Sequence, residues 1–199
     1  MNNVLGLLQE MEMYAAKHHI PIIMPAGGKI LSGVVAKLQP QSILEIGTAI
    51  GYSTLLMATK MVAGAKIVTI EQDQERVDIA KDFLARSDML GRIDIICGDA
   101  GKVLPQLTES FDMVFIDAAK GQYLDYLHKV MDKLVPGAVI IADNVLFRGM
   151  VMGGDIPRRY RTLVRRLREY LEFVSHHPHL RTTIHSEGDG MAISYYQST

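Results

Sequence analysis

The 199-residue sequence has one cysteine, Cys97, a net charge of only −1, and no apolar run approaching the roughly 18 residues of a membrane-spanning helix. An internal disulfide is therefore impossible. The apolar neighbours Ile95 and Ile96 lead us to expect a buried, inert thiol in a reducing, cytoplasmic setting. The N-terminus, Met-Asn-Asn-Val, has no basic region ahead of a long apolar run, so neither secretion nor membrane insertion is expected. Repeats, low-complexity tracts and linkers are also missing, and 48% hydrophobic content can fill one good core, so a single domain over residues 1–199 is expected. The near-zero net charge hides one local imbalance. Residues 152–168 hold six arginines (Arg158, Arg159, Arg161, Arg165, Arg166, Arg168) against the single acid Asp155, a surplus that calls for an anion.

What is present is a regular alternation of strand and helix patterns. Two helices, residues 3–18 and about 29–38, form an N-terminal cover over residues 1–40. Strands follow at 42–47, 66–71, 93–97, 112–117 and 137–142, separated by helices at 53–63, 73–87, 101–107 and 121–132. Continuous apolar runs such as Met113-Val114-Phe115-Ile116 and Ala138-Val139-Ile140-Ile141 indicate strands buried on both faces, the mark of a parallel sheet. An arginine-rich helix (157–175) precedes a final antiparallel pair, Arg181–His185 and Gly190–Tyr196. The fold expected is α/β, a doubly wound, Rossmann-like and mostly parallel sheet with a C-terminal antiparallel strand pair. His18-His19 sits between the two N-terminal helices, and adjacent histidines point apart, so we give them no metal role.

Each strand in this reading ends on a polar group: Glu45, Glu71, Asp99 just past the third, Asp117, and Asp143-Asn144. A doubly wound sheet brings all five ends to one rim, beside the glycine loop Gly47-Thr48-Ala49-Ile50-Gly51. Glu71 lies 20 residues after Gly51, where an acid accepts the ribose hydroxyls of a nucleoside. A dinucleotide would bring an anionic pyrophosphate to this loop, which lacks the middle glycine of G-x-G-x-x-G and is crowded by acids. The sulfonium and ammonium of S-adenosylmethionine suit Glu45 and Asp117 instead. Asp117, Asp143 and Asn144 offer three hard oxygen ligands with no cysteine or histidine nearby in sequence, a set suited to Mg²⁺. Lys120, three residues after Asp117, would stand at the crevice mouth, where a nearby cation disfavours its protonated form and makes it a usable base.

These residues resemble the divalent-metal-dependent O-methyltransferases that include the catechol and caffeoyl-coenzyme A enzymes. The likeness runs through Leu44-Glu45-Ile46-Gly47-Thr48, Gly51-Tyr52-Ser53, Ile70-Glu71, Gly98-Asp99-Ala100, Phe115 to Lys120, Asp143 to Leu146 and Gly188-Asp189-Gly190. Within that family the sequence is most similar to bacterial tRNA 5-hydroxyuridine methyltransferases, through Tyr14 to Ile22, Asp117 to Tyr123, Asp143 to Gly149, and the Arg158-to-Arg168 helix with His177-Pro178. The resemblance implies that Glu45, Gly47 and Ser53 hold the methionyl part of the donor, Glu71 its ribose and Asp99-Ala100 its adenine, with Ile23 as an apolar contact. It further implies metal at Asp117, Asp143 and Asn144, and Lys120 as proton acceptor. The acceptor it implies is the anticodon loop of a tRNA, met by Arg148, Arg158, Arg159, Arg165 and Arg166, or else a small catechol-like molecule. The glutamate that catechol enzymes place beside the substrate hydroxyl has no counterpart between Phe147 and Tyr170, where this chain is basic. A homodimer is also implied, with the N-terminal helices and Met150-Val151-Met152 supplying apolar contact.

Overall fold

Successive side chains of a strand point to opposite faces, and that period of two sorts the apolar residues of the central strands into two cores. In strand β1 (Ser42–Ile46), Leu44 and Ile46 enter one core and Ile43 the other; in β4 (Phe111–Ile116), Val114 and Ile116 oppose Met113 and Phe115. The computed structural model describes residues 4–197, so the expected helix start at residue 3 lies outside the described residues. Helices α1 (Val4–His18), α2 (Pro25–Leu38), α3 (Tyr52–Ala58) and α4 (Gln74–Ala85) cover one face; α5 (Ala100–Val103), α6 (Tyr123–Val130) and α7 (Arg161–His176) cover the other. None of the described helices is long and apolar enough to cross a membrane.

With β2 (Lys66–Glu71), β3 (Ile93–Cys97), β5 (Leu134–Asp143), β6 (Leu180–His185) and β7 (Met191–Tyr196), the strands form one seven-stranded sheet in the order β3-β2-β1-β4-β5-β7-β6. β1 to β5 pair in parallel, β7 pairs antiparallel with β5, and β6 with β7. The doubly wound sheet and its antiparallel end are those expected.

Several boundaries differ, each for a local reason. α2 begins at Pro25 rather than 29, because proline at the first helical position has its φ preset and no N–H to lose. β5 begins at Leu134 rather than 137. Phe111 pairs with Leu134 but Met113 with Val139, so Pro136 and Gly137 (φ 84°) lie in a bulge within the strand, where Pro136 was expected to precede it. The arginine-rich segment opens with a 3₁₀ turn, Arg158–Tyr160, before α7. Cys97 is exposed, not buried: it ends β3, the edge strand of the sheet, and its apolar neighbours Ile95 and Ile96 are themselves only half-buried.

β1 and β4 are neighbours whose following helices lie on opposite faces, and this is where an open α/β sheet forms its crevice. Gly47 closes the base of that crevice. Its φ is +106°, its N–H donates to the Ile70 carbonyl at 2.9 Å, and a Cβ on it would stand 2.2 Å from the Asp117 carbonyl oxygen. Only glycine permits that approach. Gly47→Ala should cost on the order of 2–4 kcal/mol in chemical denaturation, combining backbone strain with a clash against fixed main chain. Gly33→Ala, exposed in the interior of α2 with open space around it, should instead stabilise by about 0.5–1 kcal/mol. Equal effects of the two substitutions would contradict this account of Gly47.

Candidate active site

A cavity of about 280 Å³ opens at the carboxyl ends of β1, β2 and β4. Of the residues expected at a site, Ile23, Gly47, Ser53, Glu71, Ala100, Asp117, Lys120 and Asn144 line it. Pro21, Ile22, Tyr52, Arg76 and Tyr126 line it too, and none of them was expected as a site residue. The link between α1 and α2 thus forms part of the wall. α1 is tied to the sheet domain by Tyr52, whose hydroxyl donates to Glu12 at 2.5 Å, and by the Arg86–Glu10 ion pair.

Three of the residues expected to hold the donor or the metal do not line the cavity. Asp99 is exposed and caps α5, its carboxylate accepting from the Gly101 N–H at 2.8 Å. Asp143 lies just beneath the rim, and Glu45 is fully buried under the glycine loop. Ser53 Oγ donates to Glu45 Oε1 at 2.6 Å, and Thr69 Oγ1 and Thr54 Oγ1 donate to Oε2, the former at 2.7 Å. Because Thr69 spends its proton on Glu45, Thr48 is the donor in the 2.6 Å contact between the two threonine hydroxyls. The visible signal for this network was Thr69, a polar residue amid the apolar Ile67-Val68 and Ile70 of β2.

Glu71 is held from two sides, Oε2 accepting from the Ala49 N–H at 2.9 Å and Oε1 from the Asp73 N–H at 3.1 Å. The first bond secures Ala49 at φ 47°, a backbone conformation that costs a non-glycine residue about 1–2 kcal/mol.

Across the cavity, Ile116 pairs with Ala142, so the next residues, Asp117 and Asp143, end neighbouring parallel strands side by side. Burial holds the Asp117 carboxyl above its ordinary value, opposed by the Lys120 ammonium, whose Nζ is 3.8 Å from Asp117 Oδ1. Asp143 is pushed up to about 6, by burial first and the Asp117 charge second. Asn144 follows at φ 54°, and its N–H donates to Asp143 Oδ1 at 2.8 Å. The phenol of Tyr123, raised well above its usual range by burial and by Asp117 and Asp143, acts purely as a donor, to the Asp143 carbonyl oxygen at 2.9 Å. Among the described residues no three His, Cys, Asp or Glu side chains cluster as a metal site. The donor set is one neutral amide and two carboxylates, whose charges repel each other and are offset by Lys120. Such a hard-oxygen set suits a divalent cation of the Mg²⁺ class, which keeps further positions for water and a chelating substrate.

The arginines divide into two groups. Arg166 donates to the Gly121 carbonyl at 3.1 Å, Arg168 to Val151 and Met150, Arg161 to Ile156, and Arg165 pairs with Glu169 at 2.9 Å. Three of the four arginines in α7 therefore bind main-chain carbonyls, Arg161 and Arg168 in the segment after β5 and Arg166 in the turn before α6. Arg148, Arg158 and Arg159 are exposed and form no ion pair among the described residues.

Burial raises the Glu45 carboxyl to about 7 despite the hydroxyls of Ser53, Thr54 and Thr69, with the Asp117 charge adding to the rise. Its sign for stability follows. Below the unfolded value, near 4.5, Glu45 is protonated in both states and contributes nothing. As pH climbs towards 7 the unfolded chain has released the proton that the native state still binds, so native stability declines. Thermal unfolding of ligand-free protein between pH 4.5 and 8 should show Glu45→Gln with a shallower decline than wild type. Parallel curves would contradict a titrating buried carboxyl.

Comparison with known proteins agrees with this geometry. The family model described as O-methyltransferase matches residues 3–196. A catechol O-methyltransferase of Niastella koreensis is 36% identical over 134 residues, covering 65% of this chain and 61% of that protein, so the matched region is under two thirds of that relative's length. The catechol O-methyltransferase of Mycobacterium tuberculosis is 32% identical over 173 residues, 84% of this chain and 77% of that one. The crystal structure of an O-methyltransferase from Bacillus cereus in complex with SAH superposes with a TM-score of 0.84 at 30% identity, covering 96% of this chain and 91% of that one. With its sheet order, its crevice and nearly its whole length matched, the chain belongs to the O-methyltransferase family.

Proposed function

We propose that this protein transfers the methyl group of S-adenosylmethionine to one of two adjacent oxygens of its acceptor, with a divalent cation held by Asp117, Asp143 and Asn144. The observation that carries the reading is the juxtaposition of Asp117 and Lys120, which line the cavity, with Asp143 buried beside Asp117 just beneath its rim, in a cavity that Glu71 also lines. When bound, the two groups supply an electrophilic methyl and a positive charge that acidifies a chelated hydroxyl. The chain's own residues do the rest. Glu71, fixed by two main-chain N–H groups, presents its remaining lone pairs to a ribose diol. Ser53, oriented by Glu45, faces the cation-seeking end of the cavity, while Ile23 and Ala100 give it apolar walls. Lys120, as its neutral amine, would accept the acceptor's hydroxyl proton at the cavity mouth.

For the acceptor we favour 5-hydroxyuridine in a tRNA anticodon loop, whose 5-hydroxyl and neighbouring carbonyl imitate a catechol. Support comes from the segment after Asn144. Phe147 and Tyr160 meet edge to face at 5.3 Å between centroids, with Arg148 over the first ring at 5.8 Å and Arg159 over the second at 4.6 Å. Exposed arginines interleaved with aromatic rings beside a catalytic cavity suit single-stranded RNA. A small catechol as acceptor is the second reading, favoured by the names of the relatives. A homodimer is supported by the exposed apolar side chains Leu5, Met13, Met24 and Met152.

Chelator should abolish methyl transfer and Mg²⁺ restore it, and Lys120→Met should lower kcat by about 10²–10⁴-fold with donor affinity kept, measured with labelled donor. Activity unaffected by chelator would remove the cation from the mechanism. Reversing Arg158 and Arg159 to glutamate should reduce methylation of hydroxyuridine-containing tRNA at least about tenfold at physiological salt while sparing a simple catechol. Equal losses on both acceptors, or none on tRNA, would favour the small-molecule reading.

A further inference from the structure

We infer that Tyr123 is a positioning residue for the cation site, fixing the single peptide plane from which Asp143 and Asn144 both project. The inference rests on the reading of Asp117, Asp143 and Asn144 as the cation's ligands. The carbonyl of Asp143 and the N–H of Asn144 belong to one planar peptide unit. Tyr123 grips that plane at its oxygen, 2.9 Å away, and Asp143's own Oδ1 grips it at its N–H, 2.8 Å away. A plane held at both edges resists rotation, and that holds ψ of Asp143 and φ of Asn144, the main-chain angles that set where the two side chains start.

The grip opposes a real tendency to relax. Asn144 sits at φ 54°, a left-handed conformation that persists only where its surroundings enforce it. Beyond it the chain is caught again, Val145 N–H on the Gly190 carbonyl at 3.0 Å and Leu146 N–H on the Asp189 carbonyl at 2.8 Å. Tyr123 also joins the two halves of the site. It is the first residue of α6, directly after the 3₁₀ turn Lys120–Gln122 that follows Asp117, so its hydroxyl carries the position of the Asp117–Lys120 segment to the Asp143–Asn144 corner. Its ring is fully buried and meets Tyr170 edge-on, centroids 5.7 Å apart.

Tyr170 supplies the comparison. Its hydroxyl is buried equally deep but is the one buried side-chain polar atom without a partner among the described residues, so removing it removes packing volume alone. The test counts free Mn²⁺ by electron paramagnetic resonance in titrations of wild type, Tyr123→Phe, Tyr170→Phe and Asp143→Asn, with S-adenosylhomocysteine affinity measured alongside. Tyr123→Phe should bind Mn²⁺ about 10-fold more weakly than wild type with cofactor-product affinity unchanged, as expected for loss of a group that orients metal ligands. Tyr170→Phe should bind Mn²⁺ as wild type does. p-Aminophenylalanine at position 123, which keeps a donor at the same reach, should restore binding, and this variant also guards against a Phe variant that folds poorly. Wild-type Mn²⁺ affinity in Tyr123→Phe, or parallel loss of both affinities there with no rescue by the amino analogue, would overturn the assignment. Equal, weak binding by wild type and Asp143→Asn would instead remove the cation site itself, and the role of Tyr123 with it.

Discussion

Mutual repulsion between Asp117 and Asp143 is the constraint around which this molecule is arranged. The parallel register of β4 and β5 places the two carboxyls next to each other, burial strips much of the water that would screen them, and among the described residues Lys120 is the cation paired with them. A protein keeps such an arrangement only if something returns the cost, because unpaired buried charge is among the most expensive features a fold can carry. The surrounding architecture keeps the pair from drifting apart. Gly47 lets β1 close against the Asp117 carbonyl, Tyr123 holds the Asp143 carbonyl, and the Gly188-Asp189-Gly190 loop catches the chain just beyond Asn144.

The fold was legible because its signals are redundant. Double-sided apolar runs identified the parallel strands, and β2 and β3 have the bounds their composition predicts, 66–71 and 93–97. Reading failed where one residue type serves two purposes. Pro136 stands before the expected strand start at 137 but lies in a bulge within β5, since proline is tolerated wherever the ladder does not need its N–H. Cys97 has apolar neighbours, yet strand order puts β3 at the edge, and edge position is a property of topology that local composition does not carry.

The site was legible as a list of acids at strand ends, less so as a set of directions. Glu45 occupies its expected place on β1 but turns its carboxylate towards Ser53, Thr54 and Thr69, so it meets the cavity through Ser53 directly and through Thr48 by way of Thr69. Asp99 spends its side chain on capping α5. The arginine-rich segment was visible as surplus charge, but composition could not divide it into guanidiniums that staple the backbone, such as Arg166 and Arg168, and one exposed over an aromatic ring, Arg159. Tyr123 escaped notice because a tyrosine at helical spacing among leucines reads as core. It is core, and its hydroxyl still reaches the main chain at the rim.

Crystals grown with S-adenosylhomocysteine and Mn²⁺, measured at the manganese absorption edge, test the central claim most directly. The account predicts one anomalous peak bounded by the carboxylates of Asp117 and Asp143 and the amide oxygen of Asn144, at the mouth of the cavity that holds the nucleoside. Manganese bound elsewhere, with Lys120 still the only cation beside an otherwise unchanged pair of aspartates, would contradict it.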